Sequence, residues 1–182
     1  MVLLRYNAAI SLDGFIASAN HTTPWIIEDP TIDFPALFST FSTFLMGRKT
    51  YSTMLSFGDS NPLRDKQRDE MIVVSSTMEP RDHPDITIVE AYTVDFVKKL
   101  KKRNEEQGKK DIWLFGGGEL AGLMFKEGLV DRVEVAVMPV LVGEGIKFAD
   151  GRSWGGAAKD LKLVSVEKLD SGILMCVYDV QN

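Results

Sequence analysis

The run Met46-Gly47-Arg48-Lys49-Thr50 sets a glycine, two cations and a hydroxyl where an apolar stretch, Thr43 to Met46, gives way to a helical pattern. Such a junction suits a phosphate, because the first helical turn offers free N–H groups and the positive end of the helix dipole, and the cations add charge-assisted bonds. It is not a Walker loop, which needs an earlier glycine and a lysine directly after the last one. The same residues also make a plain strand-to-helix junction with Arg48 and Lys49 at the surface, and spacing alone leaves both readings open. A second junction, Gly116-Gly117-Gly118-Glu119-Leu120-Ala121, fits G-x-G-x-x-A after a strand and before a helix. Only 61 residues follow Ala121 and they read as antiparallel strands, so a full Rossmann domain is not expected. The triple glycine still lets a ligand approach the backbone closely, and the helix from Glu119 supplies another anion-binding terminus. Two separated phosphate-suited turns in one small sheet point to a long polyphosphate ligand such as a dinucleotide. The hydroxyls of Ser75-Ser76-Thr77, just past an apolar run, either form a turn or complete a ribose-phosphate pocket beside Arg48 and Lys49.

Asp13, Glu28, Asp29 and Asp33 are the carboxyl groups placed to donate a proton. Each has a structural alternative: Asp13 as a turn former, Asp33 as a helix N-cap, Glu28 and Asp29 as loop surface. No Ser-His-Asp arrangement or G-x-S-x-G elbow is present, and Cys176 sits inside a strand pattern, so covalent catalysis is not expected. Trp25, after Pro24 in a loop, is placed as a lid over either a site or the core.

Composition narrows the classes. A chain of 182 residues with 45% hydrophobic and 26% charged residues has the size and balance of one globular domain, spanning 1–182. A formal charge of -5 leaves no basic field for a polyanion, so nucleic acid is not an expected partner. One cysteine and two histidines allow neither an internal disulfide nor a zinc cluster; a reducing cytoplasm and no metal are expected. The apolar start, Val2 to Ile10, is interrupted by Arg5 and Asn7 and reads as neither signal peptide nor membrane span.

The elements that must carry these residues follow from periodicity. Val2 to Ile10 is a strand ending at the turn Ser11-Leu12-Asp13-Gly14. Asp33 caps a helix with Phe34, Leu37, Phe38 and Phe41 on one face. Strands follow at Thr43 to Met46, Met71 to Ser75, Ile86 to Val89 and Ile112 to Phe115; helices at Arg48 to Leu55, Thr93 to Glu106 and Glu119 to Lys126. Gly58 to Glu70 is a surface connection. Arg132 to Val140 alternates as a strand, and Leu161 to Leu169 and Ile173 to Val180 form a hairpin around Asp170-Ser171-Gly172. The expected architecture is α/β: a mostly parallel mixed sheet closed by antiparallel C-terminal strands, with helices on both faces.

Five segments in this order resemble the dihydrofolate reductase-like superfamily, most closely the C-terminal reductase domain of riboflavin biosynthesis and its stand-alone relatives. They are Ser11-Leu12-Asp13-Gly14-Phe15-Ile16-Ala17, Met46-Gly47-Arg48-Lys49-Thr50-Tyr51, Val74-Ser75-Ser76, Phe115-Gly116-Gly117-Gly118-Glu119-Leu120, and Met138-Pro139-Val140-Leu141-Val142-Gly143-Glu144-Gly145. The resemblance implies a reductase that passes hydride from NADPH to a pteridine or to an opened ribosylaminopyrimidine. In it Gly47, Arg48, Lys49 and Thr50 would hold cofactor phosphates, Ser75 and Ser76 the adenosine side, and Gly116, Gly117, Gly118, Glu119 and Leu120 the pyrophosphate and the floor below the nicotinamide. Ala9, Ile16 and Ala17 would lie along the nicotinamide. Trp25, Asp33 and Phe34 would border the substrate, with Asp33 the catalytic carboxylate, partly desolvated by Trp25, Phe34 and Leu37. Two departures bear on the substrate: Asp33 stands closer to Gly47 than in dihydrofolate reductases, and Phe115 replaces an acid common in the riboflavin enzymes. The resemblance also implies a homodimer paired through the antiparallel C-terminal strands. The alternative is a nucleotide-binding module that keeps the cofactor groove without effective chemistry.

Overall fold

The computed structural model describes residues 1–154 and 158–181. Its main sheet has eight strands. Six are β1 (Leu4–Ser11), β3 (Phe41–Gly47), β4 (Met71–Val74), β5 (Thr87–Val89), β6 (Asp111–Gly116) and β7 (Arg132–Met138); the last two are β9 (Leu161–Lys168) and β10 (Leu174–Val180). The order across the sheet is β5-β4-β3-β6-β1-β7-β10-β9. All neighbours from β5 to β7 are parallel, and β10 and β9 close the sheet antiparallel, as expected.

Helices cover both faces. On one, α3 (Thr93–Glu106) buries Val97 and Leu100, and α4 (Gly118–Lys126) buries Leu120, Ala121, Met124 and Phe125, against Leu4, Tyr6, Leu45 and Ile112. On the other, α2 (Arg48–Ser56) buries Tyr51 and Met54 with Phe44, Met46 and Trp113, and α1 (Phe34–Ser39) adds Leu37 and Phe38. Each fully buried aromatic or aliphatic side chain contributes about 1.5–3 kcal/mol by leaving water. Tyr6 adds a polar tie: fully buried and stacked on Phe148 with centroids 4.3 Å apart, it donates its hydroxyl to the Phe148 carbonyl.

Two expectations change. Phe41 does not belong to the apolar face of α1. That helix ends at Ser39, Thr40 caps it, and Phe41 opens β3 opposite Asp111. The aromatic spacing that resembles a helix repeat is two short elements read as one. A second, two-stranded sheet also appears, pairing β2 (Phe15–Ser18) with β8 (Gly145–Lys147). Gly145 makes this pairing sterically feasible: its φ is +156°, and a Cβ there would lie 2.2 Å from the Ala17 carbonyl oxygen. The Gly58 to Glu70 connection is pinned at one point, since Leu63 is buried among Phe44 and Met71. A four-residue helix, α5 (Gly151–Trp154), follows β8.

At the antiparallel end every residue of β9 is exposed. Leu161, Leu163 and Val166 share one face with Leu174 of β10, and among the described residues no strand pairs with the outer edge of β9.

Candidate functional site

The chain leaves β1 toward β3 and leaves β6 toward β7, so β6 and β1 are adjacent strands from which the chain winds in opposite directions. Ligands of open α/β sheets bind outside the carboxyl ends of strands at such a switch point. Here the sheet splits: pairing between β1 and β6 stops at Tyr6 and Leu114, while β1 stays paired with β7 as far as Ser11 and β6 with β3 as far as Gly116. The resulting cleft lies between Asn7–Ala9 and Phe115–Gly117.

The phosphate-suited turns meet at this cleft. The N-cap of α2 is Gly47, which contributes no side-chain bond to the helix terminus, so no side chain of the cap occupies the first-turn amides. Arg48 and Lys49 are exposed beside it. A Cβ on Gly47 would lie 3.9 Å from Gly117 N, and one on Gly117 3.6 Å from Thr50 Oγ1, so α2 and the triple glycine form one cradle. The Gly116–Gly117 peptide is cis. Gly118 has a different reason to be glycine, since a Cβ would lie 2.1 Å from the Lys147 carbonyl oxygen. Glu119 is exposed in the first turn of α4, and Leu120 is buried in the core.

Ser75 and Ser76 divide their roles. Ser75 is buried, and its Oγ accepts from Thr77 N and Met78 N at 3.2 and 3.1 Å, which shapes the turn after β4. Ser76 is exposed. That turn and α2 line a cavity of about 340 Å³ whose walls include Arg48, Tyr51, Thr77 and His83; Ser75, Ser76 and Lys49 are not among its lining residues.

Ala9, Ile16 and Ala17 are half-buried, on β1 and β2. Trp25 is half-buried and donates from Nε1 to Ser18 Oγ at 3.2 Å, which docks the loop on β2. The expected desolvation of Asp33 is not found. Asp33 is exposed and accepts from Ala36 N at 2.9 Å as the N-cap of α1. Phe34 is 52% exposed, because the six-residue helix packs only through Leu37 and Phe38.

Two other acids are fixed as acceptors. Asp13 takes hydrogen bonds from Ser11 Oγ, Gly143 N and Val142 N, and these hold its pKa down at about 2. Asp29 is buried and held low by the Ser171 hydroxyl, then by the hydroxyl and amide of Thr31. Both are carboxylates at neutral pH and serve as clamps, so neither is a proton donor. Asp29 ties the Trp25 loop to the β9–β10 hairpin; Glu28 is exposed beside it, on a cavity of about 490 Å³. The sign for Asp13 follows from its lowered pKa: its contribution is complete above the unfolded value of about 4 and is lost as pH falls through about 2. The melting temperature of the native chain should therefore drop toward that of Asp13→Asn between pH 5 and pH 2. A gap that stays constant over that range would refute the clamp.

The cleft also exposes what the sequence reading passed over. Asn7 shares a face of β1 with Ala9, and Nδ2 of Asn7 donates to Glu134 Oε2 at 2.8 Å. Arg5 holds the same Glu134 through both carboxylate oxygens, at 2.8 and 2.9 Å. The signal for Asn7 was its two-residue offset from Ala9 in an otherwise apolar strand. Among the described residues no cluster of three His, Cys, Asp or Glu could hold a metal, and no helix is long and apolar enough to cross a membrane.

This sheet order, with a glycine cradle at the switch point, defines the dihydrofolate reductase-like fold class. Within it the chain belongs to the RibD C-terminal domain family, whose sequence model matches residues 2–175. It is 31% identical over 179 residues to the uncharacterized protein YyaP of Bacillus subtilis (strain 168), covering 93% of this chain and 90% of that protein. A candidate riboflavin biosynthesis protein of Shewanella sp. PV-4 superposes with a TM-score of 0.80 at 22% identity, covering 99% of both chains. Dihydrofolate reductase of Enterococcus faecalis, complexed with NADP(H) and RAB-propyl, superposes at 0.66 with 14% identity, over 99% of this chain and 97% of that one.

Proposed function

We propose that this chain is an NADPH-dependent reductase acting on a pteridine-like or ribosylaminopyrimidine-type small molecule at a C=N or C=O bond. The observation that carries the reading is the cradle itself: Gly47 and Thr50, at the N-terminus of α2, lie against Gly116–Gly117 at the split between β1 and β6, and Arg48 and Lys49 are exposed on the same helical turn. The space a Cβ would fill at Gly117 is the space a pyrophosphate needs. Arg48, Lys49, Thr50 and Ser76 hold the phosphates, and Ser75 shapes the turn that presents Ser76. Backbone amides from Gly117 to Leu120 face the pyrophosphate, and Ala9, Ile16 and Ala17 flank the nicotinamide. When bound, the cofactor supplies the hydride, and the protein aligns the acceptor and excludes water. Trp25 and Phe34 border the substrate mouth. An NADPH oxidation screen against dihydrofolate and 5-amino-6-(5-phosphoribosylamino)uracil tests the reading. Tight NADPH binding without turnover of either compound would favour a binding module, and no NADPH binding would refute both.

The proton comes from solvent at the same mouth, where Asp33, exposed at the start of α1, is the residue that positions the donating water. Asp33→Asn is expected to lower turnover by about 10²-fold at neutral pH and to spare NADPH affinity. Asparagine caps as well as aspartate, so the melting temperature should hold. An unchanged rate would remove Asp33 from that role.

The exposed row Leu161, Leu163, Val166 and Leu174 is the face proposed to pair with a second copy of the chain. An open edge strand and an apolar sheet face without a covering helix call for such a partner. Sedimentation should find a dimer at micromolar concentration for the native chain and a monomer for Leu163→Lys; a monomeric native chain would refute the pairing.

A further inference from the structure

We infer that Asn7 is a specificity-determining residue of the substrate end, and that its side-chain carbonyl reads an N–H donor on the heterocycle. The inference rests on the reading of the β1–β6 cleft as the place where substrate meets cofactor. Four observations lead to it.

Asn7 lies where β1 has parted from β6, two residues before Ala9 and on the same face of the strand. It is half-buried, in a strand whose other cleft-lining residues are alanines. Its amide has one allowed orientation. Glu134, directly opposite across β1 and β7, is ion-paired with Arg5 and accepts two hydrogen bonds from it, and Arg5 is fixed in turn by Asp111, Thr40 and the Phe41 ring. A carboxylate only accepts, so Asn7 must present Nδ2 to it, and Oδ1 is left facing away. Flipping the amide would set two oxygens against each other.

The competing acceptor is already engaged. The main-chain carbonyl of Asn7 receives the Trp113 indole N–H at 3.0 Å. Oδ1 meets no donor among the described residues and is not buried, so it is open to a ligand's donor. A pre-oriented acceptor beside a hydride-transfer position selects ligands carrying an amino group or ring N–H there, because a ligand without one leaves the oxygen desolvated and unpaired. Glu134 and Arg5 are positioning residues: they touch the amide and hold its direction.

The test uses the NADPH-saturated full chain and two probes of equal shape, 2,4-diaminopyrimidine and 2,4-dimethylpyrimidine, which differ in their N–H donors. Binding is read by calorimetry, alongside NADPH affinity and melting temperature. The native chain should prefer the diamino probe by about tenfold or more. Asn7→Leu should lose most of that preference while NADPH affinity stays within about twofold. Asn7→Thr, which keeps strand propensity but is too short to reach, should do the same, and it covers the case in which leucine misfolds. A preference that survives in both variants, or is absent from the native chain, overturns the inference and leaves the cofactor reading standing. Failure of the native chain to bind NADPH overturns the cofactor reading and this inference with it.

Discussion

Replacing Arg48 and Lys49 together by alanine is expected to weaken NADPH binding by about 10²-fold or more while NADH binding changes far less. The two cations stand exposed at the N-terminus of α2, whose Gly47 cap leaves the first-turn amides free for a phosphate. A hydrogen bond from a charged donor to a phosphate is worth about 1.5–3 kcal/mol, so each substitution should cost about 10- to 100-fold in NADPH affinity. The 2′-phosphate is the group that distinguishes NADPH from NADH, and the proposed function assigns it to these two cations and to Ser76, exposed on the turn after β4. Neither cation forms an ion pair within the described residues, so the fold should tolerate both changes. The check is titration of both dinucleotides against single and double variants at fixed salt, because screening weakens exposed charge contacts. Unchanged NADPH affinity in both single variants would make the motif a plain strand-to-helix junction.

The parallel half of the sheet was legible because most of its strands are apolar runs, as strands buried on both faces require, and β1, β3, β4 and β6 each run into a glycine or hydroxyl turn. The hairpin was legible because Asp170-Ser171-Gly172 separates two alternating runs. What stayed hidden depends on contacts between distant segments. β2 and β8 are three or four residues long and pair only because Gly145 lets two backbones approach. The N-cap role of Asp33 was one of two readings on the sequence, and its exposure follows from the brevity of α1, where Phe41 belongs to the next strand. Asp13 and Asp29 carry the plainest lesson. As types they are acids near a site; as placed, each accepts three hydrogen bonds from other segments or its own turn and cannot release a proton at neutral pH. Asn7 is the converse, a polar residue that local sequence treats as an interruption and the sheet split turns into a cleft wall.

Gly118→Ala is expected to be the more damaging of two neighbouring glycine substitutions, and for a reason unrelated to cofactor. A Cβ at Gly118 would lie 2.1 Å from the Lys147 carbonyl oxygen and 3.2 Å from its carbon. Both are backbone atoms of β8, which cannot rotate away as a side chain does, and Gly118 O also accepts from Asp150 N at 2.9 Å. The start of α4 must therefore move off β8, at a cost of about 3 kcal/mol or more, at the upper end of overpacking effects. For a chain of this length that corresponds to a fall in melting temperature of about 6–12 °C. Gly117→Ala should behave in the opposite way. Gly117 has φ −89°, which alanine adopts, and its Cβ would meet only Thr50 Oγ1 at 3.6 Å, an ordinary contact. Its melting temperature should stay within about 2 °C of the native chain, since the strain is below about 0.5 kcal/mol. The added methyl would occupy the approach to the cradle, so NADPH affinity should fall by about 10- to 100-fold, the equivalent of an unrelieved steric cost of about 1–3 kcal/mol. Melting curves and NADPH titrations on the two variants separate the roles. Native-like NADPH binding by Gly117→Ala would assign the triple glycine to the turn alone, and native-like stability of Gly118→Ala would mean that α4 can leave β8 without loss.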